Sequence, residues 1–281
     1  MTLKPLRCAA VLAGAIALSA AVVPPASASP GSWTESASSS TGSLTGGEGL
    51  ASRTNGSLLY RGLASIPLAL RIKGWNHIGD PDIAQGATFD AYQGGDGATS
   101  KMYAVTTQDG RRYEYVHTLD PGEELNNSFA AVSPDAQWMV SGEWGQQNRL
   151  QVFPTPLLNP ATPRTGGTLA QSGQITLDRT VSDIQACDFV SATRLVCVSD
   201  DSEKDLLQVD LPHAMDGTTV TGRVTTLLQL PRRSICSGTF EAEGVDYDPG
   251  SGTLRAEVVQ PGACVVSTTV YSYSAAATTS S

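Results

Sequence analysis

Beyond residue 57 the apolar side chains fall in short runs, often at alternate positions, with Gly, Pro, Asp or Ser between the runs. Segments 101–107, 112–118, 137–144, 150–153, 193–199, 206–211, 224–230 and 254–259 all have this form. A period of two puts alternate residues on opposite faces of a sheet, so each segment predicts a strand. No long stretch carries the 3.6-residue apolar period of a helix. The chain therefore reads as all-β.

A loose repeat overlies this pattern. His77-Ile78-Gly79-Asp80-Pro81-Asp82, Phe129-Ala130-Ala131-Val132-Ser133-Pro134-Asp135, Ala186-Cys187-Asp188-Phe189-Val190-Ser191 and Glu243-Gly244-Val245-Asp246-Tyr247-Asp248-Pro249 each look like a strand entering a turn. Further strand-like segments follow each one, and the restarts lie roughly 50 to 60 residues apart, a little long for a four-stranded blade. Units that cannot bury both faces alone must stack on their neighbours, which predicts a small β-propeller of four to six blades over residues 58–273. A β-sandwich would also give many short strands and is the alternative.

The ends read differently. Lys4 and Arg7 precede an apolar and small-residue run from Cys8 to Val23, followed by Pro24-Pro25 and Ala26-Ser27-Ala28. This is the pattern of a secretory signal cut after Ala28, so residues 1–28 are expected to be removed and the protein secreted to the extracellular space. Residues 29–57 are rich in Ser, Thr and Gly and predict a flexible leader, because few large side chains are there to repay ordering entropy. Residues 274–281 predict a disordered tail. The formal net charge of −9 for the whole chain becomes two units more negative once Lys4 and Arg7 leave. That balance argues against nucleic acid and membrane surfaces as partners.

With Cys8 lost in the signal, Cys187, Cys197, Cys236 and Cys264 remain, an even number in a compartment where disulfides persist. Their spacing fits no zinc pattern. A hairpin turn centred on Ala192 places Cys187 opposite Cys197, and a turn centred on Gly250 carries the count out to Cys236 opposite Cys264. Both pairs are expected to be bridged.

Ser133-Pro134-Asp135, with Trp138 opening the next strand, resembles the SPDG turn of lactonase-like and TolB-like propellers, with Ala136 in place of the usual Gly. The stretches 74–82, 89–93, 126–144 and 240–248 resemble a group of secreted actinobacterial propeller-like proteins. The resemblance implies a fold and a location, and no chemistry. Glu243 before Gly244, and Asn127 ahead of the Ser-Pro-Asp turn, resemble the Glu and Asn metal ligands of gluconolactonase and regucalcin propellers.

No GxSxG elbow, HExxH helix, P-loop or dinucleotide fingerprint is present, so the catalytic residues are unknown and enzymatic activity is left open. His117 shares strand parity with Tyr113 and Tyr115 and reads as an ordinary sheet residue. Trp75, Trp138, Trp144 and Tyr92 read either as filling between blades or as a sugar platform. In a propeller the first strand of each blade lines the channel, so His77 with Asp80, Asn126 with Asn127, Asp183 with Asp188, and Glu241 with Glu243 are expected to converge at one mouth. Carboxylates gathered there would repel unless a hard cation such as calcium neutralised them. Glu243, Asn127 and Asp183 are the expected metal ligands, and His77, Asp80, Asn126, Asn127, Asp188 and Glu241 the expected ligand-binding residues. The function this predicts is a secreted binding propeller for a small-molecule, glycan or protein ligand. The alternative is a metal-dependent hydrolase of the lactonase or phosphoesterase kind.

Overall fold

The computed structural model describes residues 32–125 and 129–275. The expected signal segment 1–28, most of the expected C-terminal tail, Asn126 and Asn127 lie outside the described residues. The chain opens with β1 (Trp33–Gly42) and then makes a two-stranded unit, β2 (Gly49–Ser52) and β3 (Leu58–Arg61). The second unit has an interrupted inner strand, β4 (His77–Ile78) and β5 (Asp82–Ala84), both paired with β6 (Ala87–Gln93), and continues through β7 (Ser100–Thr106) and β8 (Arg112–Thr118). The third comprises β9 (Ala131–Val132), β10 (Trp138–Ser141) and β11 (Gln146–Pro154). The chain then lays β12 (Gly167–Thr168) parallel to β8 and returns to complete the third unit with β13 (Gly173–Ser182). The fourth is an antiparallel meander of β14 (Ile184–Ser191), β15 (Arg194–Ser199), β16 (Asp205–Asp210) and β17 (Val220–Gln229). The fifth is β18 (Glu241–Asp248), β19 (Thr253–Val259) and β20 (Ser267–Ala275), with β1 on its outer edge.

Closure is visible in the inner strands. β2 packs on β5, β5 on β9, β9 on β14, β14 on β18, and β18 on β2 again. The protein is thus a β-propeller with five blades, the first reduced to a hairpin. The sequence repeat had located the inner strands of the last four. Blades three and four are also tied at their outer edges, where β13 and β17 pair in parallel, so their strands form one continuous sheet.

The leader expected over residues 29–57 is overturned for the described part of it. β1 pairs with β20 from Trp33↔Ala275 to Gly42↔Ser267 and completes the last blade with the first strand of the chain. An outer strand needs backbone partners more than a buried face. A run such as Ser38-Ser39-Ser40-Thr41 can therefore be ordered by its ladder alone, with Trp33 packed edge-on to Tyr247 as an apolar anchor. The same pairing carries the domain past residue 273 to Ala275.

Apolar clusters fill the wedges between blades. Phe89, Tyr103, Tyr115 and Phe153 pack between blades two and three, Leu150, Ile175, Leu195 and Leu207 between three and four, and Val196, Val245, Leu254 and Tyr271 between four and five. Around the short first blade the filling changes. Ile66, Leu70 and Ile78 make a small apolar group on its side towards blade two. The space between blades five and one instead holds Glu257, Asp246, Arg255 and Ser52. The inner strands come so close here that a Cβ on Gly244 would lie 2.8 Å from the Cα of Gly49. Only glycine permits that approach.

Candidate functional site

The C-terminal ends of all five inner strands surround one depression of about 660 Å³, lined among others by Ser52, Asp82, Val132, Asp188 and Asp246. Three of these are carboxylates, and each reaches across a blade boundary. Asp82 accepts from Val132 N at 2.6 Å, Asp188 from Tyr247 N at 2.6 Å, and Asp246 from Ser52 N at 2.6 Å. Asp82 and Asp188 use their other oxygen on the following backbone N–H, from Ile83 and Phe189 respectively, and Asp246 also receives Ser52 Oγ and Arg255. An inner strand has one edge without a partner strand, and these side chains satisfy donors on that edge while binding one blade to the next. Burial and mutual repulsion raise Asp188 well above the usual carboxylate range, and burial pushes Asp82 up to about 7. Their oxygens are committed to backbone donors, which makes this mouth a set of stitches.

The opposite mouth, where the inner strands begin, is acidic and less committed. Glu48 precedes β2, His77 opens β4, and Glu241 and Glu243 open β18. His77 Nε2 lies 3.2 Å from Glu48 Oε2. Burial lowers His77, while burial and the neighbouring Glu241 raise Glu48 to about 8, so both groups are uncharged near neutrality and the contact is not an ion pair. Glu243 is raised well above its ordinary value, first by burial and then by Glu48, Asp200 and Glu241. Asp200 is the exception, since Lys204 Nζ lies 2.9 Å away and Ala242 N donates to it at 2.7 Å.

Between the mouths, Asp80 and Glu257 stand at 1 % and 0 % exposure. Asp80 Oδ1 accepts from Leu50 N at 2.9 Å, but its Oδ2 has no hydrogen-bond partner, and Glu257 has no hydrogen bond of good geometry, only the approach of the Gly49 N–H. Burial raises both well above the carboxylate range, and each adds to its neighbours: Asp80 feels Glu257, and Glu257 feels Glu48. Buried carboxyl oxygens without donors are costly, on the order of 1–3 kcal/mol each or more for a charged group. This is the least satisfied chemistry in the described protein.

The structure divides the residues that the sequence expects at one mouth. His77, Glu241 and Glu243 lie at the acidic mouth and Asp80 in the shaft. Asp188 lies at the far mouth, because it is five residues beyond Asp183 on a strand that rises roughly 3.3 Å per residue. Asp183 is spent on the third blade: its Oδ1 accepts from Gly145 N at 3.0 Å, and its backbone is held at φ +50°. Asn126 and Asn127 fall outside the described residues. Sequence reasoning missed Glu48, placed in the supposed leader, and Glu257, which sits on a second strand whose alternation gave no hint that its face meets a shortened blade. The aromatic platform is not assembled. Tyr92 is buried, Trp75 and Trp138 pack on apolar clusters, and Trp144 alone is exposed.

Among the described residues, one group of three has ligand atoms close enough for a metal ion: His117, Asp120 and Glu123. It lies away from the channel, and basic side chains already occupy it. Lys101 Nζ is 3.0 Å from Glu123 Oε1 and His117 Nε2 is 2.8 Å from Glu123 Oε2. His117 Nδ1 faces the Leu169 carbonyl at 3.0 Å and must donate to it. A metal ion there would have to displace Lys101 from Glu123 and break the contacts that both ring nitrogens already make.

No protein-family model matches the chain, and no curated protein matches it. Among solved structures, the native arabinanase of Bacillus subtilis is similar at 10 % identity and a TM-score of 0.38, covering 86 % of this chain and 92 % of that one. A chain of the mitotic checkpoint complex covers 93 % and 98 % at 10 % identity and a TM-score of 0.36. No residue role is carried over from either.

Proposed function

We propose that the protein is a secreted binding module whose acidic channel takes up a cation. The observation that carries this reading is the pair of buried carboxyl groups beside the short first blade, Glu257 with no hydrogen bond of good geometry and Asp80 with one oxygen unpartnered. Glu241 lies at the open mouth leading to them, beside Glu48 and Glu243, whose raised carboxyls give up their protons as a cation enters. Either the shaft stays protonated or a positive charge fills it, and only the second uses the oxygens as acceptors. The two disulfides, Cys187–Cys197 and Cys236–Cys264, support an oxidising compartment. No helix among the described residues is long and apolar enough to cross a membrane.

Calcium is the metal form of this cation, and an alkylammonium or guanidinium group is its organic form. The hydrolase alternative needs an assembled metal with an open position, and among the described residues the one group of metal-bonding spacing lies elsewhere. Thermal unfolding at pH 7.5 with calcium, magnesium, manganese, zinc or spermidine tests the reading. A ligand that binds only the folded state at about a hundred times its dissociation constant adds about 2.7 kcal/mol. The expected result is a rise in melting temperature with at least one of these probes, lost in Glu257→Gln. Unchanged melting with every probe overturns the proposal.

A further inference from the structure

Outside the channel, one cluster combines a desolvated amine, a carboxamide and a carboxylate. Lys101 is on β7 of blade two, directly opposite His117 on β8. Gln151 is on β11 of blade three. Lys101 and Gln151 are both 0 % exposed, as is the side chain of Glu123. Lys101 Nζ contacts Gln151 Oε1, lies 3.0 Å from Glu123 Oε1 and donates to the Gly142 carbonyl at 3.1 Å. Gln151 Nε2 donates to Gln171 Oε1 at 3.0 Å, which fixes the amide with its carbonyl end towards the amine.

We propose that Lys101 and Gln151 join in an intramolecular amide bond that crosslinks blades two and three, with Glu123 as the catalytic proton carrier. Nζ attacks the Gln151 side-chain carbonyl carbon, the new N–C bond forms, and the bond from that carbon to Nε2 breaks. Glu123 takes a proton from the ammonium to free its lone pair and returns it to the departing nitrogen. Lys101 gives up two protons in all, so the amide keeps one N–H and the product leaves as ammonium. No oxidant or external reactant is required.

Three features favour this over a resting ion pair. The amine is out of water, and burial lowers its proton affinity, which makes it the better nucleophile. The carboxylate touches the amine, so the proton has a short path off Nζ, and the ammonium charge that helps hold Glu123 ionised disappears as that proton moves. The closed wedge keeps water from competing for the carbonyl, and the two reacting groups are held side by side by separate blades.

A tryptic map of the folded, secreted protein decides it. Acylated Lys101 resists trypsin, so the expected product is a branched peptide joining residues 74–111 to 150–164, one ammonia lighter than the sum of its parts. The intact chain should show the same mass deficit. Glu123→Gln keeps the size of the side chain and removes the proton carrier, and it should return the linear peptides 74–101 and 150–164. Full recovery of those two linear peptides from the folded wild-type protein overturns the proposal, whether or not the variant folds. A Glu123→Gln protein that still contains the branched peptide overturns the role given to Glu123.

Discussion

A carboxylate on an inner strand does structural work here that its residue type does not advertise. Asp188 accepts Phe189 N on its own strand and Tyr247 N on the next, both at 2.6 Å, and so joins blade four to blade five at a cost in repulsion from Asp82 and Asp246. Replacement by Ala leaves two backbone donors without acceptors in a closely packed boundary. Asp188→Ala should lower stability by about 1–3 kcal/mol, read as a lower urea midpoint with an unchanged slope. An unaltered midpoint would mean that water serves those donors equally well. In sequence, Asp188 looked like a channel ligand because its strand was identified and its partners were not; a cross-blade N–H carries no residue signature. Ala136 shows the reverse. Its replacement of Gly after Ser133-Pro134-Asp135 flagged an unusual turn, and the turn keeps the left-handed conformation with Ala136 at φ +57°. Asp135 holds it by accepting Ser133 Oγ at 2.6 Å and Gln137 N at 3.0 Å.

At the level of elements, alternation and turn residues were enough to place most strands, and short hairpins even fixed their register. Cys187 pairs with Cys197 in the ladder as counted, although a bulge sets Ser191 rather than Val190 opposite Arg194. The longer count in blade five failed while its connectivity held. Asp248, not Tyr247, faces Thr253, a bulge follows between Ala242 and Val245, and the second bridge lies beyond the ladder with Cys264 in a short 3-10 turn. Register errors accumulate with each residue counted, and one bulge is enough to shift them. The first strand was illegible for a different reason, since its ordering comes from β20, about 230 residues later in the chain. The two bridges also differ in access: Cys187 and Cys197 are 1 % exposed, whereas Cys236 and Cys264 are half-buried beside the exposed Ile235 and Val265. Mild thiol reductant followed by alkylation should therefore label Cys236 and Cys264 in the native protein and reach Cys187 and Cys197 only on unfolding. Labelling of all four together would show that blade four opens as readily as the loop.

On the scale of the whole molecule, the ring of five inner strands concentrates acids along its axis, and the short first blade leaves Asp80 and Glu257 short of donors. That arrangement could not be read from the chain, because Glu48, Asp80, Glu243 and Glu257 are far apart in sequence and only ring closure brings them together. It fixes how stability should vary with pH. Folding raises these carboxyls, Glu48 to about 8 and Asp82 to about 7, so between pH 4.5 and 8 the folded state binds more protons than the unfolded one. Their contribution is full below the ordinary carboxylate range and is lost as pH climbs through the raised values, at up to about 1.4 kcal/mol per pH unit for each fully shifted group. Glu123 acts in the opposite sense. Its hydrogen bond to His117 and the charge of Lys101 hold it below the usual range, so its contribution falls away only in stronger acid. The cation-free protein should melt highest near pH 5 and progressively lower towards pH 8. A cation that fills the shaft should flatten that slope, because its charge favours the ionised carboxyls, and Glu257→Gln should flatten it in part without any cation. A melting temperature that rises between pH 5 and 8 in the absence of divalent ions would show that the channel acids are ionised and satisfied in the folded protein, and would remove the electrostatic basis for cation uptake.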